Sequence, residues 1–126
     1  MMLLLDTSVV IDIANRRRDT IAKMGQLKSS YPEMPKISFM TYFEFIYGLR
    51  SKKPQNKQKA LAFIENFDVV QATKNTANIL ATLKEGHGAI LLSDLFIAAQ
   101  AIENNMMIAT KNMDFEKISE VNKIII

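Results

Sequence analysis

A chain of 126 residues with 48% hydrophobic content is long enough to bury a core of its own, so residues 1–126 are expected to form one domain. With no Cys it holds neither a disulfide framework nor a thiolate metal site, and the composition suits a reducing, cytoplasmic setting. No stretch approaches the roughly 20 apolar residues of a membrane span, and the first apolar run is broken by Asp6 too early to be the core of a secretory signal.

The first element is Leu3-Leu4-Leu5, a short apolar run of the kind that forms a strand covered on both faces. It ends on Asp6-Thr7-Ser8, and Val9-Val10-Ile11 then suits a helix packing straight back. A second helix is predicted from about Asp19 through Ser30, with Ile21, Met24 and Leu27 at helical spacing. Pro32 and Pro35 punctuate a loop before a short strand at Lys36–Phe39. Helices follow at Met40–Leu49 and Gln55–Phe67, with a brief strand at Asp68–Val70. The spacing of Ala77, Ile79, Leu80 and Leu83 predicts a helix over Thr73–Glu85, which Gly86-His87-Gly88 breaks. Ser93-Asp94 opens an apolar helix reaching Glu103, and Asn104-Asn105 is a pair that tolerates a left-handed cap. Met106–Ala109 reads as a strand, Asp114–Ile118 as a short helix and Lys123–Ile126 as the last strand. Such alternation implies an α/β fold with a central, mainly parallel sheet of four to five short strands and helices on both faces.

The net charge of +3 is unevenly placed. Arg16, Arg17 and Arg18 form one cluster, while Arg50, Lys52, Lys53, Lys57 and Lys59 form another with no acid between Glu44 and Glu65. Either could meet a phosphate backbone, or be a solvated face.

The acids carry more information. Asp6 lies where a strand becomes a helix, a junction at which ligand sites collect in open α/β sheets, although an Asp there can also cap the helix. Glu44 is the only charged residue in Met40–Leu49. It shares a narrow polar stripe with Thr41 and Gly48, while Tyr42, Phe43, Phe45, Ile46, Tyr47 and Leu49 wrap the rest, so it should face a cation or a wet cleft, unless the stripe is an ordinary exposed face. Asp94 heads an apolar helix, either as a functional acid or, like Ser93, as its cap. Asp114 follows the strand at Met106–Ala109. Carboxylates converging on one rim repel one another and stay ionised mainly when a divalent cation neutralises them. Oxygen donors without Cys, and a single His87 placed as a loop residue between glycines, favour Mg²⁺ or Mn²⁺ over Zn²⁺. Hard cations held in this way suit phosphodiester hydrolysis. No GxSxG elbow, P-loop or GxGxxG is present.

These segments resemble the PIN-domain ribonucleases, and within them the small VapC-type toxins. LLLDTSVVIDI is similar to the family's opening strand and helix with its first catalytic Asp, FMTYFEFIYGL to the helix carrying its Glu, LLSDLFIAAQAIENN to the helix headed by its third acid, and IATKNMDFEKI to the segment after the fourth strand. The resemblance implies a three-layer α/β/α fold and a Mg²⁺- or Mn²⁺-dependent endoribonuclease leaving a 3′-hydroxyl and a 5′-phosphate. Asp6, Glu44, Asp94 and Asp114 would be catalytic, with Asp6, Asp94 and Asp114 on the metal. Ser8 and Thr110 would orient them, and Arg16, Arg17, Arg18, Arg50, Lys52 and Lys53 would hold RNA. The fourth position is open: many relatives have an acid where Asn112 stands, so either Asn112 coordinates through its carbonyl or a water, or Asp114 supplies the acid, or Asp114 only caps the helix that follows. Asp12 is peripheral. The resemblance further implies a homodimer and a small antitoxin partner lying along an apolar groove of the first two or three helices, where Met24, Leu27, Tyr42, Phe45, Ile46 and Tyr47 offer apolar surface. The alternatives are a non-catalytic PIN-like binding module, a nuclease of RNA processing, and a phosphatase of the Asp-x-Asp kind, which Ser8 at the second Asp position disfavours.

Overall fold

Leu3–Leu5 is strand β1, buried at every residue. It sits at the centre of the sheet, where a parallel strand covered on both faces must be apolar on both. The computed structural model describes residues 1–126. After β1 come α1 (Thr7–Ala14), α2 (Arg18–Leu27), β2 (Lys36–Ser38), α3 (Phe39–Gly48), α4 (Pro54–Ile64), β3 (Val69–Val70), α5 (Lys74–Gly86), α6 (Leu92–Glu103), β4 (Met107–Thr110) and β5 (Lys123–Ile125). Short 3₁₀ turns occupy Leu49–Ser51 and Met113–Lys117. The five strands lie in the order β3-β2-β1-β4-β5, and every pairing is parallel.

The pleat of β1 divides the core. Leu4 points to one face, into a cluster with Leu95, Ile97, Ala98, Ile108 and Phe115 under α5 and α6. Leu3 and Leu5 point to the other, where Val9, Val10, Ile37, Phe45 and Ile64 gather under α1, α3 and α4. The result is a three-layer α/β/α fold, as the alternating pattern implies.

Local chemistry sets the element ends. Ser38 caps α3 by accepting the Met40 N–H at 3.0 Å, Pro54 opens α4 where a missing N–H costs nothing, and Thr73 and Thr76 form a reciprocal capping box on α5. Asn105 has φ +52°, the left-handed stop expected after α6. Gln100 is buried in the apolar middle of α6. Its Oε1 accepts from Ser38 Oγ (2.6 Å) and the Phe39 N–H (3.1 Å), and its Nε2 donates to the Val70 carbonyl (2.9 Å). It thereby pins α6 to the ends of β2 and β3.

One expectation needs correction. α6 starts at Leu92 with Leu91 in the cap position, so neither Ser93 nor Asp94 caps it, and Asp94 lies in the first turn. On α3, Phe39, Phe43 and Tyr47, four residues apart, are exposed and form a stripe on its outer face. No helix is long and apolar enough to cross a membrane.

Candidate active site

The chain leaves β1 for β2 and β3 on one side and returns to β4 and β5 on the other, so β1 and β4 flank the point where strand order reverses. Crevices at the carboxyl ends of strands at such a point are the common ligand sites of open α/β sheets. Asp6 and Thr110 both lie there, and the Asp6 N–H donates to the Ala109 carbonyl at 3.0 Å.

Asp6 occupies the cap position of α1 by its backbone, yet its carboxylate makes no capping bond. Its Oδ2 instead accepts from Ser8 Oγ at 2.8 Å and Thr110 Oγ1 at 2.7 Å. The residue is only 3% exposed. Because no buried side-chain polar atom lacks a partner, the oxygen with no protein donor must reach solvent. Glu44, half-buried on α3, accepts at Oε1 from Thr7 Oγ1 (2.7 Å), which also contacts Thr41 Oγ1 (3.0 Å). Asp94 is 8% exposed and accepts at Oδ2 from Asn112 Nδ2 at 3.1 Å. Asp114 pairs through Oδ1 with Lys117 Nζ at 3.3 Å.

Each acid is thus held by one oxygen and leaves the other without a protein donor. Burial, and then the Asp6 carboxylate, push Asp94 up to about 6, with lesser pushes from Asp114 and Glu44 and a counter-pull from the Asn112 amide. Asp6, Asp114 and Glu44 each act electrostatically on Asp94, Asp6 the most. No three acidic or histidine side chains stand close enough together to cage an ion as they are, which accords with mutually repelling carboxylates each tied to its own hydroxyl, amide or ammonium partner. Mg²⁺ keeps several waters and needs only one or two protein carboxylates, so hard, solvent-reachable oxygens such as those of Asp6 and Asp94 fit it. His87 offers no competing ligand, since its Nε2 faces Glu120 at 2.9 Å.

Asn112, not Asp114, caps the Met113–Lys117 turn: its Oδ1 accepts the Asp114 N–H at 3.0 Å while its amide points to Asp94. Its side-chain oxygen accepts that one N–H, while Asp114 keeps one carboxylate oxygen without a protein donor. Sequence reasoning missed Thr7, the first hydroxyl of Asp6-Thr7-Ser8, and Gln100, whose lone polarity in the run Leu95–Ile102 was the available signal.

The basic residues divide. Arg16, with φ +57°, and Lys52 meet across a groove of about 740 Å³ between α1, α3 and α4, joined by Lys59 and reaching Glu44. Phe45, Leu49 and Phe63 are among its apolar walls. Arg17, Arg18, Arg50 and Lys53 are exposed but outside it. Arg17 faces Asp19 at 3.8 Å, and Arg50 lies 5.8 Å over the Tyr47 ring. The groove is lined from α1, α3 and α4 and by no residue of α2. Met24, Leu27, Tyr42 and Ile46 pack on the core, and only Tyr47 of the six apolar candidates is largely exposed.

No curated protein matches the sequence. Among solved structures, a chain of VapBC2 from Rickettsia felis, bound to a DNA fragment from its promoter, superposes with a TM-score of 0.83 at 23% identity, covering 100% of this chain and 99% of that one. A chain of VapBC-1 from nontypeable Haemophilus influenzae gives 0.79 at 25% identity over 99% and 98%. One of VapBC-5 from Mycobacterium tuberculosis, a member of the VapBC family of toxin-antitoxin systems, gives 0.75 at 20% over 100% of both. The PIN domain model matches residues 3–121, nearly the whole chain, and the protein belongs to the PIN domain family.

Proposed function

We propose that the protein is a Mg²⁺- or Mn²⁺-dependent endoribonuclease acting in the cytoplasm, the VapC-type toxin of a toxin-antitoxin pair. The observation that carries this reading is the placing of Asp6 and Asp94 at the reversal point of the sheet, where burial first, then Asp6 and more weakly Asp114 and Glu44, raise Asp94 to about 6. Asp6, Asp94 and Asp114 would hold the ion, which supplies a water of lowered pKa and neutralises charge on the phosphate. Glu44, oriented by Thr7, has its free oxygen available to orient a water or accept its proton. Ser8 and Thr110 fix the Asp6 carboxylate so that its other oxygen faces the crevice. The cations Arg16, Lys52 and Lys59 would bind backbone phosphates on the approach to Glu44.

The partner would be a small antitoxin, in keeping with the toxin-antitoxin complexes among the similar structures. Its seat is the groove between α1, α3 and α4, apolar inside and basic at the rim, which suits an amphipathic segment carrying acids. A second copy of the chain would cover the exposed stripe of Phe39, Phe43 and Tyr47, a row of large aromatics that monomers rarely leave in water.

Cleavage of total RNA and purified transfer RNA, by wild type and Asp94→Asn with Mg²⁺, Mn²⁺ or chelator, tests the reading. Discrete fragments made only by wild type with metal are expected. The absence of a ready three-acid cage favours a second reading, a PIN-like binding module without catalysis. No fragments under any condition, together with no divalent-ion binding by calorimetry, would establish that alternative.

A further inference from the structure

We propose that Asp12 is a positioning residue that holds the Lys111 ammonium out of the acidic pocket and so keeps the pocket open to a divalent cation; this rests on the nuclease reading above. Lys111 stands between Thr110 and Asn112, the donors to Asp6 and Asp94, and its own N–H donates to Ser8 Oγ at 3.3 Å. Its backbone therefore crosses the mouth of the cluster. An ammonium on a flexible four-carbon stem at that place is a tethered competitor for the Asp6 and Asp94 carboxylates, which the Lys117–Asp114 pair leaves free.

The side chain turns away instead. Lys111 Nζ lies 2.5 Å from Asp12 Oδ2, which also accepts from Thr20 Oγ1 at 2.6 Å. Ser8 and Asp12 are four residues apart on α1 and so share one face. Ser8 takes the backbone N–H of Lys111, and Asp12 takes its ammonium. Thr20, buried at 2% exposure on α2, holds Asp12 in place, so the acid does not follow the lysine. The Asp12 side chain is itself only 15% exposed. The Lys111 and Thr20 hydrogen bonds, in that order, keep its carboxyl below the usual range and hence charged.

Three variants separate this role from a simple loop brace. Titration calorimetry with Mn²⁺ on metal-free protein is the direct readout, and the Mg²⁺ concentration for half-maximal RNA cleavage is the second. Asp12→Ala, with Lys111 free to enter the pocket, is expected to bind Mn²⁺ about tenfold more weakly, as one added positive charge several ångströms away requires. Lys111→Met keeps the aliphatic stem and removes the charge, and should bind at least as tightly as wild type. The double variant should return to within about twofold of Lys111→Met, because the intruding charge is gone. If Lys111→Met is as weak as Asp12→Ala and the double variant no better, the pair only braces the loop and the proposal is wrong. Unchanged affinity in Asp12→Ala overturns it as well. Should Asp12→Ala melt abnormally, Asp12→Asn keeps the Thr20 bond and replaces it in the same comparison. A wild type that binds no Mn²⁺ and cuts no RNA refutes the nuclease reading itself, an outcome distinct from both.

Discussion

Replacing Asp94 by Asn should make the metal-free protein more stable while abolishing cleavage. Asp94 is 8% exposed and raised from 3.8 to about 6, first by burial and then by Asp6. A shift of about two pH units corresponds to roughly 3 kcal/mol of penalty on the charged form. Local relaxation around Asn halves that at most, leaving about 1.5–3 kcal/mol at pH 7.5. Asn112 Nδ2, now 3.1 Å from Asp94 Oδ2, would find the amide oxygen of the new side chain, so no donor is orphaned. For a chain of this size, thermal unfolding in chelator should shift upward by about 5–10 °C. The pH dependence has a fixed sign. Because the folded-state value lies above the ordinary one, protonated Asp94 supports the fold fully below about pH 4, and that support is lost as pH rises through 6. The gap between variant and wild type should therefore open between pH 4 and 6 and stay constant above. Added Mn²⁺ should close it by stabilising wild type alone. A variant that melts at or below the wild-type temperature at pH 7.5 in chelator would refute the claim that burial and the neighbouring Asp6 penalise the charged form of Asp94.

Three further outcomes are expected. Gln100→Leu should lose about 2–4 kcal/mol in urea unfolding, because it leaves the Phe39 N–H and the Val70 carbonyl without their partner at the sheet end. Neutralising Lys52 and Lys59 to Gln should weaken RNA binding and lower the salt slope by about one to two units, and an unchanged slope would remove the groove from the RNA path. Phe43→Glu, on the exposed stripe of α3, should give a monomer by light scattering at micromolar concentration; a wild type already monomeric there would discard the second copy as its cover.

The strands and helices were legible because hydrophobic period and capping chemistry agree along most of the chain. Pro54, Thr73 and Asn105 each stand at an element end, where their conformational preferences are decisive. The start of α6 was not legible. Ser93 and Asp94 are good caps by type, but Leu91 holds the cap position, with the Leu95 N–H bonded to its carbonyl at 3.1 Å. Nor does periodicity tell which of two apolar faces is covered. Thr41 and Phe45 face inward on α3 while Phe43 and Tyr47 face outward, although a hydrophobicity pattern ranks the aromatics first.

The acids were visible in the sequence because each interrupts an apolar segment, whereas the groups that orient them were only partly so. A hydroxyl next to an acid in sequence does not serve that acid by default. Thr7 adjoins Asp6 yet donates to Glu44, while Thr110, 104 residues away, donates to Asp6. The reason is the pleat of β1 and the turn into α1, which send successive side chains to different elements. The same geometry decides Asp12. Read from the sequence it is a peripheral acid, one helical turn past Ser8, but that spacing puts both on the face toward Lys111. A site whose ligands must stay charged depends as much on where the nearest cation is kept as on the carboxylates themselves, and in this chain α1 supplies both Asp6 at its start and the acid that restrains Lys111.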